Sequence, residues 1–261
     1  GVIQLYTGDG SAGTANVVEI DQASNGTGNR VASGTFNAGG GVYQDGHSNL
    51  INLDQSGAFN RFRYVTQIGS GNDATGSQSG QGNQVGNLIQ TGNDNTATTT
   101  QADFGGFNNG SRIDNLFQTG DNNTATVSQL GNNNHIRGIY QMGAGGSGEG
   151  FGNSITIAMN GNDNGLPGGF TFTDQAASVA GTLEAGNFFQ YGDDNTATLD
   201  IWGDSNAALF KSDGNNNTIT GTVGSASSYA TSNQVAVVQT GNMNVASFSQ
   251  SGSGNNAGIT Q

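Results

Sequence analysis

The sequence predicts an all-β fold: a β-solenoid of stacked β-arches (strand–turn–strand), with rungs of 22–23 residues that continue from copy to copy as a cross-β polymer. One observation is a motif of glutamine, glycine and asparagine that recurs along most of the 261 residues. A second is the period-two alternation of side chains between copies of the motif, which is typical of β-strands. The third is the composition, which combines 46 glycines with one proline and 10% charged residues. A polar chain that is poor in proline and in charge favours cross-β assembly over disorder.

The motif Q-x-G-x-x-N occurs ten times at one fixed spacing and predicts the ladder residues and turn glycines of the solenoid. Its copies are Gln44-Gly46-Asn49, Gln55-Gly57-Asn60, Gln67-Gly69-Asn72, Gln78-Gly80-Asn83, Gln90-Gly92-Asn95, Gln118-Gly120-Asn123, Gln129-Gly131-Asn134, Gln190-Gly192-Asn195, Gln239-Gly241-Asn244 and Gln250-Gly252-Asn255. Gln101, Gln141 and Gln261 end further strands at the same position. In other copies, Met159, Ile201 and Ser212 replace the glutamine but keep the spacing. Such regular spacing indicates a repeat architecture.

The strands between the turns are of two kinds. In the short kind, Asn95, Ala97 and Gln101 lie on one face of the strand and are predicted to point inward, while the intervening threonines point outward. In the long kind, such as residues 83–90, the alternation changes phase midway, as it does at a β-bulge. One long and one short strand, each followed by a turn, make one rung.

Equivalent rungs place each glutamine above a glutamine and each asparagine above an asparagine. Each side-chain amide then donates a hydrogen bond to one neighbour along the axis and accepts one from the other. A buried amide without a partner costs about 1–3 kcal/mol, so the ladder fixes the register of the rungs. We further expect the last repeat, residues 255–261, to end the solenoid without a capping helix, which would leave an edge open to another copy.

Charge and rare residue types exclude several classes of function. With a net charge of −13 and only six Lys and Arg residues, the sequence predicts no basic patch for nucleic acid. It has no cysteine for a disulfide or a thiolate site, and no apolar run of about 18 residues that would span a membrane. His47 and His135 each stand alone near a turn, and paired acids such as Asp193-Asp194 are interpreted as solubilising charges. We therefore predict no enzyme, no metal and no cofactor.

An alternative function is ice binding by a monomeric, Thr-rich β-solenoid. T-x-T units such as residues 96–98 and 124–126 would supply the threonine array. Against this alternative, the units alternate along the chain with long strands that carry Arg61, Arg112 and Tyr140. A Thr-rich solvated sheet face explains the same threonines more simply.

A solenoid adhesin or polysaccharide lyase is a third class. Tyr64, Tyr140, Phe188 and Trp202 could stack on sugar rings. The sequence lacks the clusters of catalytic Lys and Arg and of Ca²⁺-binding carboxylates that a lyase would need. This class therefore has little support.

The repeat Q-x-G-x-x-N-x-A-x-x-x-Q, present here as Gln90-Gly92-Asn95-Ala97-Gln101, resembles the curlin repeat. Curlins are the subunits of curli, the functional amyloid fibres of bacterial biofilms. The start GVIQLYTGDG is similar to the mature start of the major curlin subunit, and SGSGNNAGITQ is similar to its last repeat. The resemblance covers most of residues 44–261. The chain departs from it in its larger number of repeats, its long loops and the residues that replace glutamine, among them Val223.

The resemblance implies the structural subunit of an extracellular curli-like fibre that serves biofilm matrix, adhesion and surface colonisation. It implies secretion in an unfolded state through an outer-membrane pore with accessory factors, and assembly on the cell surface seeded by a minor curlin. Residues 1–22 would be the secretion-targeting segment. We expect an irregular first repeat over residues 23–43 and the curlin-like solenoid over residues 44–261. The turn insertions are predicted near residues 102–110, 142–152, 160–183 and 224–232.

Overall fold

The structure is a computed structural model that describes residues 2–4, 15–22, 28–31, 41–103, 110–143, 152–165 and 170–261. The described strands, in chain order, are β1 (Val2–Gln4), β2 (Val17–Gln22), β3 (Arg30–Val31), β4 (Gly41–His47), β5 (Leu50–Gln55), β6 (Arg61–Ser70), β7 (Asp73–Ser79), β8 (Gln84–Thr91), β9 (Thr96–Ala102), β10 (Arg112–Thr119), β11 (Thr124–Leu130), β12 (His135–Met142), β13 (Ser154–Asn160), β14 (Asn187–Tyr191), β15 (Thr196–Asp204), β16 (Ala207–Asp213), β17 (Thr218–Val223), β18 (Ala230–Thr231), β19 (Gln234–Thr240), β20 (Val245–Gln250) and β21 (Asn256–Thr260). One helix, α1 (Asp174–Ala180), completes the elements of these residues.

Two parallel sheets form a β-solenoid, as the repeat predicts. Sheet A has the order β1-β4-β6-β8-β10-β12-β14-β16-β19-β21, and β3 pairs with β6. Sheet B has the order β2-β5-β7-β9-β11-β13-β15-β17-β20. Because successive strands along the chain alternate between the sheets, each rung contributes its long strand to sheet A and its short strand to sheet B. Neighbouring rungs of such a solenoid are about 4.8 Å apart.

The core lies between the two sheets and follows the predicted alternation. In β9, Ala97, Thr99 and Gln101 are buried, whereas the threonines between them are only partly covered. Equivalent positions stack in register: Ala97 lies beside Ala125 of β11, which in turn lies beside Ile155 of β13. A one-residue slip of any strand would expose these apolar side chains and bury threonines.

The long strands of sheet A contain the predicted change of alternation. Val85 of β8 pairs with Ile113 of β10, and the next pair in register is Asn87 with Asn115. The residues between them, Gly86 and Asp114, form no ladder pair. This bulge recurs at the same level of successive rungs, so the strands of sheet A stay in register.

Two insertions leave the solenoid at this bulge, whereas the sequence pattern placed all insertions in turns. Val31 of β3 pairs with Phe62, and Gly41 of β4 pairs with Tyr64, so residues 28–31 and 41–47 together make one interrupted long strand. The predicted turn insertion at residues 160–183 likewise lies between Gly165, which bridges to Ala207, and β14. Because the bulge already interrupts the hydrogen-bond ladder, a loop inserted there disrupts the fewest backbone hydrogen bonds between strands.

The N-terminal residues also contain solenoid strands before residue 44. β1 pairs with β4 and places Gln4 in register with Gln44. β2 pairs with β5 over its whole length, with Gln22 beside Gln55. The targeting role that the resemblance assigns to residues 1–22 stays a prediction.

The other predicted insertions lie partly outside the described residues. This holds for residues 104–109 and 144–151. The insertion at 224–232 contains β18, which pairs with the end of β15 through Gly203 and Ala230.

Helix α1 lies beside the last rungs of the solenoid rather than over their edge, so the expected absence of a capping helix stays a prediction. Helix α1 packs on the outer face of sheet A, where Phe172 and Ala176 join a small core with Ala207, Leu209 and Ala236. The helix arises from an apolar, alanine-rich insertion far from the last repeat in sequence, so the last repeat itself gives no sign of it. Within the described part of the chain, no helix has the length and apolar character needed to cross a membrane.

Candidate assembly site: the amide ladders

The glutamines of sheet A form a hydrogen-bonded ladder along the axis of the solenoid. Each Nε2 donates to the Oε1 of the next glutamine towards the C-terminus, over distances of 2.7–3.0 Å. This uninterrupted ladder contains Gln44, Gln67, Gln90, Gln118, Gln141 and Gln190. All of these side chains are buried, so each bond satisfies a donor and an acceptor that water cannot reach.

The glutamine also fixes the turn that follows it, which explains the spacing of the motif. Gln67 Nε2 lies 3.0 Å from the carbonyl oxygen of Asn72, five residues later, and 2.8 Å from the carbonyl oxygen of Leu50 in sheet B. Gln90 repeats these contacts with the carbonyl oxygens of Asn95 and Asp73, both at 2.9 Å. The side chain therefore holds the turn and the facing strand together as well as the rungs.

The asparagines form ladders with the opposite polarity. Asn72 Nδ2 donates to Asn49 Oδ1 at 3.0 Å, and Asn95 Nδ2 donates to Asn72 Oδ1 at 3.0 Å. The same Oδ1 of Asn49 accepts the backbone N–H of Asn72 at 3.1 Å. The second Nδ2 hydrogen of Asn72 reaches the carbonyl oxygen of Gly92, 2.8 Å away in the turn of the next rung. Both N–H groups and the oxygen of the asparagine amide are thus hydrogen-bonded at the start of a strand.

The second glutamine ladder, in sheet B, is interrupted by apolar residues. It runs from Gln22 through Gln55, Gln78 and Gln101 to Gln129 with distances of 2.7–2.8 Å. The next three rungs carry Met159, Ile201 and Val223 at this position, and Gln250 follows. The replacements lie on consecutive rungs, so apolar side chains contact each other and only the residues at the ends of the block border an amide.

Single replacements interrupt the other ladders. Ser212 follows Gln190 in sheet A and donates its hydroxyl to Gln239 Oε1 at 3.2 Å. Ser111 replaces an asparagine, and its backbone N–H donates to Asn83 Oδ1 at 2.9 Å. A serine hydroxyl is shorter than an amide but still offers one donor and two lone pairs.

The turn glycines are required by both conformation and stacking. Gly69 has φ +117°, and a Cβ there would lie 2.0 Å from the carbonyl oxygen of Gly92 in the next rung. A side chain would therefore be strained and would also separate the rungs. Positive φ recurs at all the other predicted turn glycines, Gly46, Gly57, Gly80, Gly92, Gly120, Gly131, Gly192, Gly241 and Gly252.

The structure buries all the predicted ladder residues except three. Asn244 is half-buried, and Asn255 and Gln261 are exposed. These three belong to the last strands of sheets A and B, where no further rung of the described residues covers them.

Four ladder asparagines escaped the motif. Asn16, Asn29, Asn153 and Asn233 each accept a hydrogen bond from, or donate one to, the asparagine of a neighbouring rung. The long insertions and the N-terminal position separate them from any Q-x-G. The remaining signal is local: an asparagine stands directly before the first outward residue of a strand.

The threonines form an array on the outer face of sheet B. Thr98 lies in register with Thr75 and Thr126, and the same column continues through Thr156 and Thr198. The arginine-bearing strands that alternate with these units along the chain do not interrupt the array, because they lie in sheet A. In a solenoid, strands that alternate along the chain lie on two different faces of the molecule.

Three of the aromatic residues considered for sugar stacking are buried or contact other side chains of the solenoid. Phe188 is fully buried, so it offers no surface to a sugar. Tyr140 stacks on Phe189 with ring centroids 5.1 Å apart. Trp202 donates its indole N–H to Asp200 at 3.0 Å.

The titratable groups form no centre suited to catalysis or metal binding among the described residues. His135 Nε2 contacts Asp114 Oδ2 at 2.9 Å, and His47 contacts the hydroxyl of Ser70 at 3.2 Å. No group of three or more His, Cys, Asp or Glu residues in this part of the chain is arranged to hold a metal ion. Partial burial, and next the neighbouring Asp193, raise the pKa of Asp194 above its ordinary value.

Comparison with known proteins identifies the repeat. The family described as the curlin associated repeat matches residues 115–137 and 230–261. A search of the curated proteins finds no match. The matched segments include the Gln118–Asn123 and Gln239–Asn244 turns, whose amides take part in the ladders described above. These two segments of the chain therefore match the curlin associated repeat.

Proposed function

We propose that this protein is the structural subunit of an extracellular curli-like amyloid fibre that grows by end-to-end stacking of its solenoids. The observation that carries the proposal is the fixed polarity of the ladders. Glutamines donate towards the C-terminal end of the solenoid, and asparagines donate towards its N-terminal end. Stacking in one direction continues every ladder, whereas the reverse direction sets donor against donor.

The edge strands support head-to-tail stacking. At one edge of sheet B, Gln250 uses one amide hydrogen on the carbonyl oxygen of Gln234 at 3.2 Å. At the other edge, Gln22 donates to Gln55 and keeps its own Oε1 as an acceptor. Placing β2 of a second copy on β20 of the first lets Gln250 donate to Gln22, as each glutamine of the ladder does to the next.

The exposure of the last rung gives a driving force. Val245 is 64% exposed, and the side chains of Asn255 and Gln261 are exposed although their equivalents in the rungs from β6 to β19 are buried. The outer edges of β20 and β21 also carry backbone groups that pair with no described strand. An added copy would cover these groups, as edge strands do when they template further strands.

The finer parts of the proposal follow from the curlin family. We infer service in biofilm matrix, adhesion and surface colonisation, nucleation by a minor curlin, and export through an outer-membrane pore with accessory factors. Residues 1–22 would address the chain to that pore. A Cys-free chain with 46 glycines and 32% hydrophobic residues suits export in an unfolded state. We propose no enzymatic activity and no cofactor.

Fibre formation by the purified protein tests this function. At micromolar concentration we expect fibres whose diffraction shows the strand spacing of about 4.7–4.8 Å along the fibre axis. A stable monomer that produces thermal hysteresis would overturn the proposal and support ice binding by the threonine array.

A pair of variants sharpens the test. Asn255→Lys with Gln261→Lys adds two charges that are exposed in a single copy and would be buried at a stacked junction, so it should abolish growth. Ser251→Lys with Thr260→Lys adds the same charge at exposed neighbouring positions and should leave growth intact. Equal growth of the two variants would contradict end-to-end stacking.

A further inference from the structure

Basic and acidic side chains are segregated between the outer faces of the solenoid. All six Lys and Arg residues of the chain lie on strands of sheet A, and the strands of sheet B carry none. They are Arg30, Arg61, Arg63, Arg112, Arg137 and Lys211. The net charge of the whole chain indicates no basic patch, but the fold collects the basic side chains on one face.

Three of these arginines have no acidic partner among the described residues. Arg112, Arg137 and Lys211 form ion pairs with Asp114, Glu184 and Asp213. Arg30, Arg61 and Arg63, here called the arginine patch, form none.

The arginine patch concentrates positive charge at one level of sheet A. Arg30 lies in register with Arg61 on the adjacent strand, and Arg63 lies two residues further along the same face. The Nε atom of Arg63 is buried and makes no hydrogen bond. Like charges in register destabilise a sheet unless a counter-charge comes from outside the chain.

The matching counter-charge lies on the outer face of sheet B. Glu19, Asp21, Asp54 and Asp73, here called the acidic patch, point outward from β2, β5 and β7. Asp21 lies in register with Asp54, so this patch also sets like charges side by side. The residues of the acidic patch take part in no salt bridge within the described residues.

The two patches lie at the same level of the solenoid. Along the chain, β2 and β5 of the acidic patch alternate with β3 and β6 of the arginine patch, so the patches occupy the same rungs on opposite faces. Beyond β7, the outward acids of sheet B lie on β15, at Asp200 and Asp204, several rungs away. Two parallel rods in axial register therefore bring an arginine patch against an acidic patch.

We propose that these patches form a lateral contact between two copies of this chain, in which the arginine patch on sheet A of one rod meets the acidic patch on sheet B of its neighbour, at the end of the solenoid opposite helix α1. The contact is heterologous, so it repeats without closing and generates layers of parallel rods. It supplies three positive charges against four negative ones. The inference rests on the proposed function only in that rods, rather than single copies, display the patches repeatedly.

Charge reversal with rescue tests the contact. Arg61→Glu with Arg63→Glu, and separately Asp21→Arg with Asp54→Arg, should convert bundles at low salt into single rods. The combination of all four substitutions restores the original net charge and the complementarity, and should restore bundling. The Asp21→Arg, Asp54→Arg variant is the stricter test of the two. It makes the net charge less negative than −13, which by itself would favour association and not the expected separation into single rods.

Rod width in electron micrographs and small-angle scattering is the readout, and fibre diffraction reports the stacking separately. Wild-type bundles should separate into single rods between about 0.02 M and 0.5 M salt, as charge interactions are screened. Unchanged bundling in the single-face variants, or no restoration in the combined one, overturns the lateral contact and leaves the fibre intact. If no rods form, the proposed function fails, and sedimentation of single copies at low salt tests the contact with the same variants.

Discussion

Gln67 donates its Nε2 hydrogens to Gln90 Oε1, 2.8 Å away in the next rung, and to the carbonyl oxygen of Asn72, 3.0 Å away in its own turn. One buried side chain thereby couples the stacking of rungs to the conformation of the turn. The repeated glutamine and asparagine are the polar core of this solenoid, in which hydrogen-bond satisfaction selects the register that apolar packing alone would leave loose.

Removing one amide of the ladder should weaken assembly far more than removing an outward hydroxyl. Gln90→Ala deletes the axial acceptor of Gln67 and the donor to Gln118, which leaves the buried Gln118 Oε1 without a donor at a cost of about 1–3 kcal/mol. Thr96→Ala, the matched control, removes an outward side chain and should cost at most about 0.5 kcal/mol. The urea concentration that dissolves half of the fibres measures the difference.

The same contrast applies elsewhere in the ladders. Asn95→Ala, Gln118→Ala and Asn123→Ala should slow assembly as Gln90→Ala does, and Thr124→Ala should behave as Thr96→Ala does. Equal assembly rates for inward and outward replacements would mean that the two faces have been interchanged.

A turn glycine can be tested against a strand glycine that has room for a side chain. Gly69→Ala puts a Cβ 2.0 Å from the carbonyl oxygen of Gly92 at φ +117° and should cost more than about 1–3 kcal/mol. Gly41→Ala meets no atom within 4 Å and should be neutral or slightly stabilising. The urea midpoint of the assembled fibres again provides the measure. If Gly41→Ala lowers the urea midpoint as much as Gly69→Ala does, then close stacking of the rungs is not the reason that glycine is required.

The faces, turns and rungs could be predicted because each rests on a short-range pattern. Ala97 and Gln101 are separated by an even number of residues, so the alternation of side chains along a strand places them on one face. Gln67 and Asn72 are five residues apart because the side chain of Gln67 hydrogen-bonds to the carbonyl oxygen of Asn72 across the turn. The repeat then extends these local rules along the chain.

The remaining features depend on register between distant segments. Asn153 occupies a ladder position but follows a glycine-rich insertion that separates it from Gln141, so spacing from the preceding glutamine gives no signal. Helix α1 contacts β21, some 80 residues later in the sequence, through the 2.7 Å bond from Ala176 N to Asn256 Oδ1. The segregation of charge likewise appears only when strands are sorted into two sheets.

The apolar block in the sheet B ladder should respond non-additively to added amides. Ile201→Gln places an amide between Met159 and Val223, where neither neighbour can bond to it, and should cost about 1–3 kcal/mol. Replacing all three residues with glutamine continues the ladder from Gln129 to Gln250, so the triple variant should be less damaged than the single one.

Urea midpoints of the single variant, the triple variant and the parent protein measure this coupling. An outward substitution on the same strand, Thr198→Gln, serves as the control because it adds an amide outside the core. Additive losses on going from one to three glutamines would contradict the ladder explanation.

Assembly should accelerate as the pH falls from 7 towards 4. Partial burial and the adjacent Asp193 raise the pKa of Asp194, so the folded state binds this proton more readily than the unfolded chain does. The penalty of the charged form is present above the raised pKa and is relieved as the pH falls through it. The net charge of −13 also becomes less negative as the pH falls, which reduces the repulsion between copies.

Asp194→Asn separates the local effect from the global one. Asparagine suits the backbone at φ 56° and removes one of the two adjacent charges. We expect shorter lag times at pH 7 and a smaller change between pH 7 and pH 4.5 than in the parent protein. Slower assembly of this variant at pH 7 would contradict the sign of the pKa shift.

Helix α1 should depend on its contact with the last strand of sheet A. Asn256 accepts the backbone N–H of Ala176 at 2.7 Å and donates to the carbonyl oxygen of Thr173 at 2.7 Å. A seven-residue helix is unstable alone, so Asn256→Ala should release it and increase hydrogen exchange at residues 174–180 by tenfold or more, for a loss of about 1.4 kcal/mol.

The control and the distribution of the effect decide the interpretation. Ser249→Ala changes an exposed outward side chain at the same end of the solenoid, on sheet B, and should leave exchange at residues 174–180 unchanged. In Asn256→Ala, the rise in exchange should be confined to the helix and to β19 and β21, because the helix packs on these strands and the inner rungs keep their ladders. Unchanged exchange in the helix would show that the apolar contacts of Phe172 and Ala176 with Leu209 hold it without the asparagine.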